Sequence, residues 1–188
     1  MQTMTKLLCA LVLGAPVAAA AGSGTTPVTA APKISELEIQ VMAHQHAVNQ
    51  AEIDMGKLAQ ANGSSGVKKY GATLVKDHTA GDKEVVALAT KKGVAKLPAD
   101  MAISDSDKKA QADMTAKMKA MKAAEFDKMF LDMMAAAHDR ELTKIDADIA
   151  VTTDADLKAL LQKTKPVLQQ HSDTAKSLDK TVTSSAEK

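Results

Sequence analysis

Apolar residues recur along this chain at alternating spacings of four and three positions, which is the pattern of an amphipathic helix that buries one face. In the second and last of four long segments the series are Val67, Gly71, Leu74, His78, Gly81, Val85 and Leu88, and Leu157, Leu161, Thr164, Leu168, His171, Ala175 and Leu178. In the first and third they are Leu37, Val41, His44, Val48, Ala51, Met55 and Leu58, and Leu131, Met134, His138, Leu142, Ile145 and Ile149. Four such seams, joined mainly by short loops, predict an antiparallel four-helix bundle.

Start and stop signals set the bounds of these helices. Ser35-x-x-Glu38 forms a capping box at the start of the first helix, and Asn62-Gly63 ends it. The signals predict long helices over about 34–61, 64–92, 124–151 and 155–181, and one short extra helix over about 106–121 between helices two and three. Pro166 lies inside the last helix and predicts a kink there.

Composition supports an all-α fold. Aromatic residues make up only 2% of the chain, and there is no Trp. A β-sandwich or barrel draws on aromatic and β-branched residues, whereas the Ala, Leu, Met, Lys and Glu that dominate here favour helices.

The first 21 residues have the features of a cleaved signal peptide. Lys6 provides the positive charge, Leu7–Leu13 the apolar run, and residues 17–21 the small side chains of a cleavage site. We therefore expect export to the periplasm or the extracellular space, and no transmembrane span in the mature chain. The mature chain should comprise a flexible leader (22–33), the bundle (34–182) and a disordered tail (183–188).

The charge pattern does not indicate nucleic-acid binding. The chain has 24 Lys and Arg residues against 23 Asp and Glu, without a dense basic cluster. A nucleic-acid-binding domain would concentrate positive charge on one face. Protein partners are not indicated by any segment.

Four polar residues near the middle of the long helices are candidate ligands for a metal ion. His78, His138 and His171 each occupy one seam, and Glu52 flanks the seam of the first helix. At about 1.5 Å per residue, the four residues fall within about two helical turns of one level. Imidazoles with a carboxylate suit one transition-metal ion such as Zn, Cu, Fe or Ni, and bundle cores are established places for such sites.

Other interpretations of this layer stay open at this point. The residues could form a metal-free hydrogen-bonded layer that sets helix register, or a pH-sensitive layer, since His titrates near neutral pH. A redox metalloenzyme acting on peroxide or superoxide is a further alternative. We identify no catalytic residue, because the chain has no phosphate loop, nucleophile elbow or His-Glu-x-x-His motif, and an enzyme is the less favoured interpretation. His44, His46 and the methionines are weaker ligand candidates.

Four ordered blocks of sequence resemble a known family. They are the stretch 51–59 (AEIDMGKLA), Val75-Lys76-Asp77-His78, Glu125-Phe126-Asp127 followed by His138, and Pro166-x-Leu168-x-x-His171. Over about residues 36–180 the chain is similar to a bacterial secreted family, domain of unknown function 4142. The resemblance implies a ferritin-like helical bundle that is exported and often labelled a putative outer-membrane protein. It implies no settled activity. The function that we expect, metal binding or a stress-related role, rests on the layer of His and Glu residues.

The chain departs from the ligand pattern of ferritin-like di-iron proteins. Those proteins place Glu three residues before each of two His ligands. The corresponding positions here are Val75, Ala135 and Leu168. The sequence therefore argues against a carboxylate-bridged di-iron centre and predicts either a mononuclear, His-rich site or no metal site.

Overall fold

The computed structural model describes residues 34–99 and 105–186, which contain five helices and no strand. The helices are α1 (Glu36–Asn62), α2 (Ser65–Lys91), α3 (Asp105–Lys119), α4 (Ala123–Val151) and α5 (Ala155–Ala186). The all-α prediction and the short extra helix, α3, are thereby confirmed. The predicted signal peptide, the leader and the last two residues of the tail lie outside the described residues.

The four long helices pack as a helical bundle in which each neighbouring pair is antiparallel. The neighbours are α1 with α2, α4 with α5, α2 with α5, and α1 with α4. Because short connections join α1 to α2 and α4 to α5, these two pairs are antiparallel. Between α2 and α5, Glu84 pairs with Lys163 and Lys91 with Asp156, so residue numbers rise along one helix as they fall along the other. Each helix therefore has two antiparallel neighbours, and α2 lies diagonally across from α4.

A long crossover joins the second and third long helices. The start of α4 lies beside the α1–α2 turn, where the Ser64 amide donates to Asp127 at 3.0 Å. The end of α2 lies beside the α4–α5 turn, where Lys92 pairs with Asp154 and Asp156. The connection between α2 and α4 therefore has to return along the full length of the bundle. Within it, α3 inserts Met118 fully into the core.

Two apolar clusters fill the two ends of the bundle. The first, near the α1–α2 turn, includes Leu74, Phe126, Phe130, Met134 and Ala175. The second, near the α4–α5 turn, includes Val41, Val85, Ile145, Leu161 and Leu168. The midpoints of α2, α4 and α5 fall between the two clusters, and a histidine occupies each of them. A polar layer thus divides the core into two apolar halves.

Helix α1 begins at the predicted capping box and is also tied to the far end of α4. Glu38 accepts hydrogen bonds from both the amide and the hydroxyl of Ser35, and Ser35 caps the amide of Glu38. The other oxygen of Glu38 accepts from Thr153, through amide and hydroxyl, and from the Asp154 amide. One buried carboxylate therefore fastens the start of α1 to the α4–α5 turn.

The predicted seam of α1 is partly wrong. Leu37 was expected in the core but is 50% exposed, because the neighbouring Glu38 takes the inward position to satisfy the turn. The buried face of α1 also carries Gln45, Asn49 and Glu52. The inward face of α1 is therefore much more polar than a spacing of apolar residues indicates.

Helix α5 runs about five residues beyond its predicted end at 181. It continues through Pro166 and reaches Ala186, so residues 183–186 of the predicted disordered tail are helical. Val182 packs against the first apolar cluster, and this contact favours helix beyond the predicted end. The predicted kink at Pro166 stays a prediction.

Helices α1 and α2 approach each other unusually closely. A Cβ atom built on Gly56 would lie 2.7 Å from the carbonyl oxygen of Gly71, and one on Gly71 would lie 2.6 Å from that of Gly56. No side chain fits at such distances, so glycine is required on both helices. Two turns away from Gly56, the same helix pair places Asn49 against His78.

Candidate metal centre

Three histidines from three helices meet in the polar layer. His78 of α2, His138 of α4 and His171 of α5 are only 4%, 2% and 1% exposed. One ring nitrogen from each lies within 4.8 Å of the other two, and the ring centroids are 5.2–5.9 Å apart. We call these three residues the histidine cluster.

Each ring of the cluster is held by a hydrogen bond through the nitrogen that faces away from the other two. The acceptors are Asn49 Oδ1 for His78 Nδ1 at 2.8 Å, the Met134 carbonyl for His138 Nδ1 at 2.8 Å, and Asp77 Oδ2 for His171 Nε2 at 3.1 Å. These oxygens can only accept, so each outward nitrogen carries the proton and each inward nitrogen carries a lone pair. Fixed outer acceptors of this kind orient the histidine ligands of metal sites.

The inward nitrogens have no hydrogen-bond partner among the described residues. They are His78 Nε2, His138 Nε2 and His171 Nδ1, and all three are buried. Leaving a buried polar atom unpaired costs about 1–3 kcal/mol, and three such atoms converge here. A cation shared by the three lone pairs would relieve this cost.

Burial keeps the histidine cluster neutral at pH 7. Burial, together with the two neighbouring rings, lowers the pKa of His78 to about 3. Burial lowers the pKa of His138 to about 4, although the bond to Met134 opposes the shift. It also lowers the pKa of His171 against the opposing effect of Asp77. Neutral imidazole is the form that binds a metal ion.

Glu52 lies in the same polar layer but is not one of the three clustered residues. Its side chain is 8% exposed, and its Oε2 atom has no hydrogen-bond partner among the described residues. Burial, with a smaller contribution from the charge of Glu141, raises the pKa of Glu52 to about 8. In the metal-free protein, Glu52 is therefore mainly a neutral acid at pH 7.

Tyr70 belongs to the first apolar cluster and connects it to the histidine cluster. Its hydroxyl donates to the carbonyl oxygen of His171 at 3.0 Å, and its ring meets Phe130 and His171 edge-on. Burial, followed by the charge of Glu52, raises the pKa of Tyr70 above its ordinary range. The phenol therefore stays protonated and acts as a fixed donor to the backbone of α5.

The dimensions of the cluster are close to those of a metal site. An equilateral triangle of nitrogens with edges of 4.8 Å has its centre about 2.8 Å from each nitrogen. A Zn–N bond is about 2.0–2.1 Å long, so each ring would move inward by about 0.7–0.8 Å. Small rotations of the rings and helices can supply a movement of that size.

The family model described as Domain of unknown function (DUF4142) matches residues 23–178. The chain belongs to this family. No curated protein and no solved structure matches it. The resemblance found in the four sequence blocks is confirmed, and because the family description carries no activity, the function has to be argued from the centre itself.

The remaining sequence-based expectations have different outcomes. Of the four predicted ligands, the structure brings His78, His138 and His171 together and leaves Glu52 outside that group. His44 and His46 also lie outside it and pair with Glu141 at 3.1 Å and Asp82 at 2.6 Å. Within the part of the chain that the structure describes, no helix is both long and apolar enough to cross a membrane.

Sequence reasoning missed the outer residues of the centre. Asn49 and Asp77 hold two of the three rings, and Tyr70 closes the layer on one side. A signal was present for Asp77, which directly precedes His78. Asn49 lies one helical turn before Glu52, but a lone Asn in a helix gives no indication of its partner.

Proposed function

We propose that this DUF4142 protein is an exported metal-binding bundle that holds one transition-metal ion through His78, His138 and His171, with Glu52 as a fourth ligand. The observation that carries the proposal is the convergence of three buried, unpartnered imidazole nitrogens from three helices. A hydrogen-bonded polar layer would be expected to pair its inward atoms with one another. Here each ring uses its outward nitrogen for hydrogen bonding and leaves the inward one for a cation.

The donor set determines which ions suit the site. Neutral imidazoles bind Zn, Cu, Fe and Ni, and a carboxylate adds the negative charge that a buried cation requires. Glu52 can supply that charge by losing its proton when the ion binds, which makes metal affinity depend on pH. Its unpartnered Oε2 supports this role.

The proposed role is metal binding in an exported, ferritin-like bundle, without a di-iron centre. Four antiparallel helices with one long crossover support the ferritin-like comparison. The apolar run near the start of the chain supports export. We favour a binding or stress-related function over catalysis, since the candidate ligands are all buried.

The test is the metal content and thermal stability of the mature protein purified without chelator. We expect about one transition-metal ion per chain and a fall in melting temperature after chelation. His138→Asn should lower both metal content and stability, because it removes one ligand from the cluster. His46→Asn is the matched control, since His46 lies on the surface of α1 and pairs with Asp82 outside the centre.

Two outcomes would contradict the proposal. One is a protein that contains no metal and gains no stability from added Zn, Cu, Fe or Ni, which would make the cluster a structural layer. The other is a His138→Asn variant that binds as much metal as the His46→Asn control.

A further inference from the structure

The three rings of the histidine cluster do not face its centre through the same atom. His78 and His138 turn Nε2 inward, whereas His171 turns Nδ1 inward and Nε2 outward. A neutral imidazole can carry its proton on either nitrogen, so a neighbouring group has to select the tautomer of each ring. The choice at His171 differs from the other two and calls for a specific cause.

The outward Nε2 of His171 meets a carboxylate oxygen of Asp77 at 3.1 Å. Asp77 comes from α2, the helix that also carries His78, and its side chain is 28% exposed. An ionised carboxylate only accepts hydrogen bonds, so the proton of His171 must lie on Nε2. The lone pair is then on Nδ1 and points toward the other two rings.

Among the described residues, no stronger partner competes for this oxygen of Asp77. The Lys76 ammonium lies 3.7 Å from the other carboxylate oxygen, beyond hydrogen-bond distance, and the Lys76 side chain is 85% exposed. An ion pair so exposed to solvent contributes little. The bond to His171 is therefore the main structural role of Asp77.

Asp77 is also the only charged group among the three outer acceptors. The Asn49 amide and the Met134 carbonyl are neutral, whereas a carboxylate makes the imidazole that it holds a stronger donor to a metal. Together, Asp77 and an ionised Glu52 provide two negative charges near the centre. That total matches a divalent cation.

We propose that Asp77 is a positioning residue that holds His171 in the Nε2–H tautomer, so that Nδ1 becomes the ligand atom, and that its charge strengthens the binding of a divalent cation. The statement about affinity rests on the proposed metal function. The tautomer of His171 can be measured in the metal-free protein, even if no metal binds.

The first experiment assigns the tautomers by nitrogen-15 NMR of the imidazole rings in metal-free protein at pH 7. We expect Nε2–H for His171 and Nδ1–H for His78 and His138. Asp77→Asn keeps an acceptor oxygen and should preserve the His171 tautomer, whereas Asp77→Ala should convert or mix it. A wild-type His171 protonated on Nδ1, or an unchanged tautomer in Asp77→Ala, would overturn the positioning role.

The second experiment measures Zn²⁺ affinity by competition with a chromophoric chelator. Asp77→Asn should weaken binding by about 10- to 100-fold, the usual effect of losing an outer-shell partner. Asp82→Asn is the control, because it removes the charge from an analogous pair, of partly buried Asp82 with His46, that lies outside the centre. This variant should bind Zn²⁺ within about twofold of wild type. Equal affinities for the two variants would refute the charge effect. A wild-type protein that binds no metal but has the expected tautomers would refute the proposed function and leave the positioning role intact.

Discussion

Replacing Glu52 by Gln in the metal-free protein should change how stability depends on pH. The two side chains have nearly the same shape, but Gln cannot ionise. Burial raises the pKa of Glu52 from 4.5 to about 8, so the folded state holds a proton that the unfolded chain has released. The contribution of Glu52 to the free energy of unfolding is fully present below pH 4.5 and is lost as pH rises toward 8.

The size of the effect follows from the shift in pKa. Each pH unit between the two pKa values is worth about 1.4 kcal/mol, so the wild type should lose about 3 kcal/mol relative to Glu52→Gln between pH 5 and pH 7. The histidines titrate in both proteins, and their contribution cancels in the difference. Urea denaturation of chelator-treated protein across this pH range gives the two free energies of unfolding.

Asp54→Asn is the control for this measurement, because Asp54 lies on the same helix with its side chain 77% exposed. Its free energy of unfolding should run parallel to that of the wild type over the whole pH range. A wild type that runs parallel to Glu52→Gln instead would mean that Glu52 is solvated and not part of a dry layer. That result would refute both its raised pKa and its proposed place beside the metal.

Three further predictions test the fold and the histidine cluster. Glu38→Gln should lower the free energy of unfolding at pH 7 by about 2–3 kcal/mol, because it weakens hydrogen bonds to a charged acceptor. It should also reduce the loss of stability below pH 4.5 that follows from the lowered pKa of Glu38. Urea denaturation is the measurement, and the exposed Glu36→Gln is the control. Leu161→Ala should cost about 2–5 kcal/mol in the same assay, because Leu161 is fully buried, whereas Val151→Ala, at a 54% exposed position, should cost less than about 0.5 kcal/mol. Metal-free Glu52→Gln, which lacks the opposing effect of Glu52, should lose stability as pH falls from 6.5 toward 4, because the folded pKa of His138 is about 4 and that of His78 is about 3; a free energy of unfolding that is equal at pH 7 and pH 5 would contradict neutral, buried rings.

The buried face of a helix could be predicted from the sequence where hydrophobic burial alone determines which residues face the core. In α2 and α5 the spacing of Val67, Leu74, Leu157 and Leu161 identified residues that are almost fully buried. In α1 the same reasoning was right for Val41, Met55 and Leu58 but failed at the start of the helix, where Leu37 is half exposed and Glu38 faces inward. Hydrogen bonds to a neighbouring turn determine the rotation of that end of α1, and such bonds are invisible to a hydrophobic pattern.

The three histidines of the candidate site were predictable from the sequence, but the place of Glu52, the outer residues and the geometry were not. Mid-helix positions on three seams placed His78, His138 and His171 at one level, because helix rise is regular. Which nitrogen faces the centre depends on partners such as Asp77 and Asn49, and these belong to other turns or other helices. Tertiary contacts of that kind cannot be read from spacing along one helix.

The long crossover between α2 and α4 determines when during folding the histidine cluster can form. His78 precedes the crossover, whereas His138 and His171 follow it, so His78 is separated from the other two histidines by 60 and 93 residues in the chain. Bringing such distant residues together is a late event in folding, since the entropy of closing the loop must be overcome first. An N-terminal fragment ending before α4 would carry one of the three clustered imidazoles. If the chain crosses a membrane unfolded and binds an ion as proposed, the ion must be acquired on the far side, and the metal supply of that compartment would then determine which ion is bound.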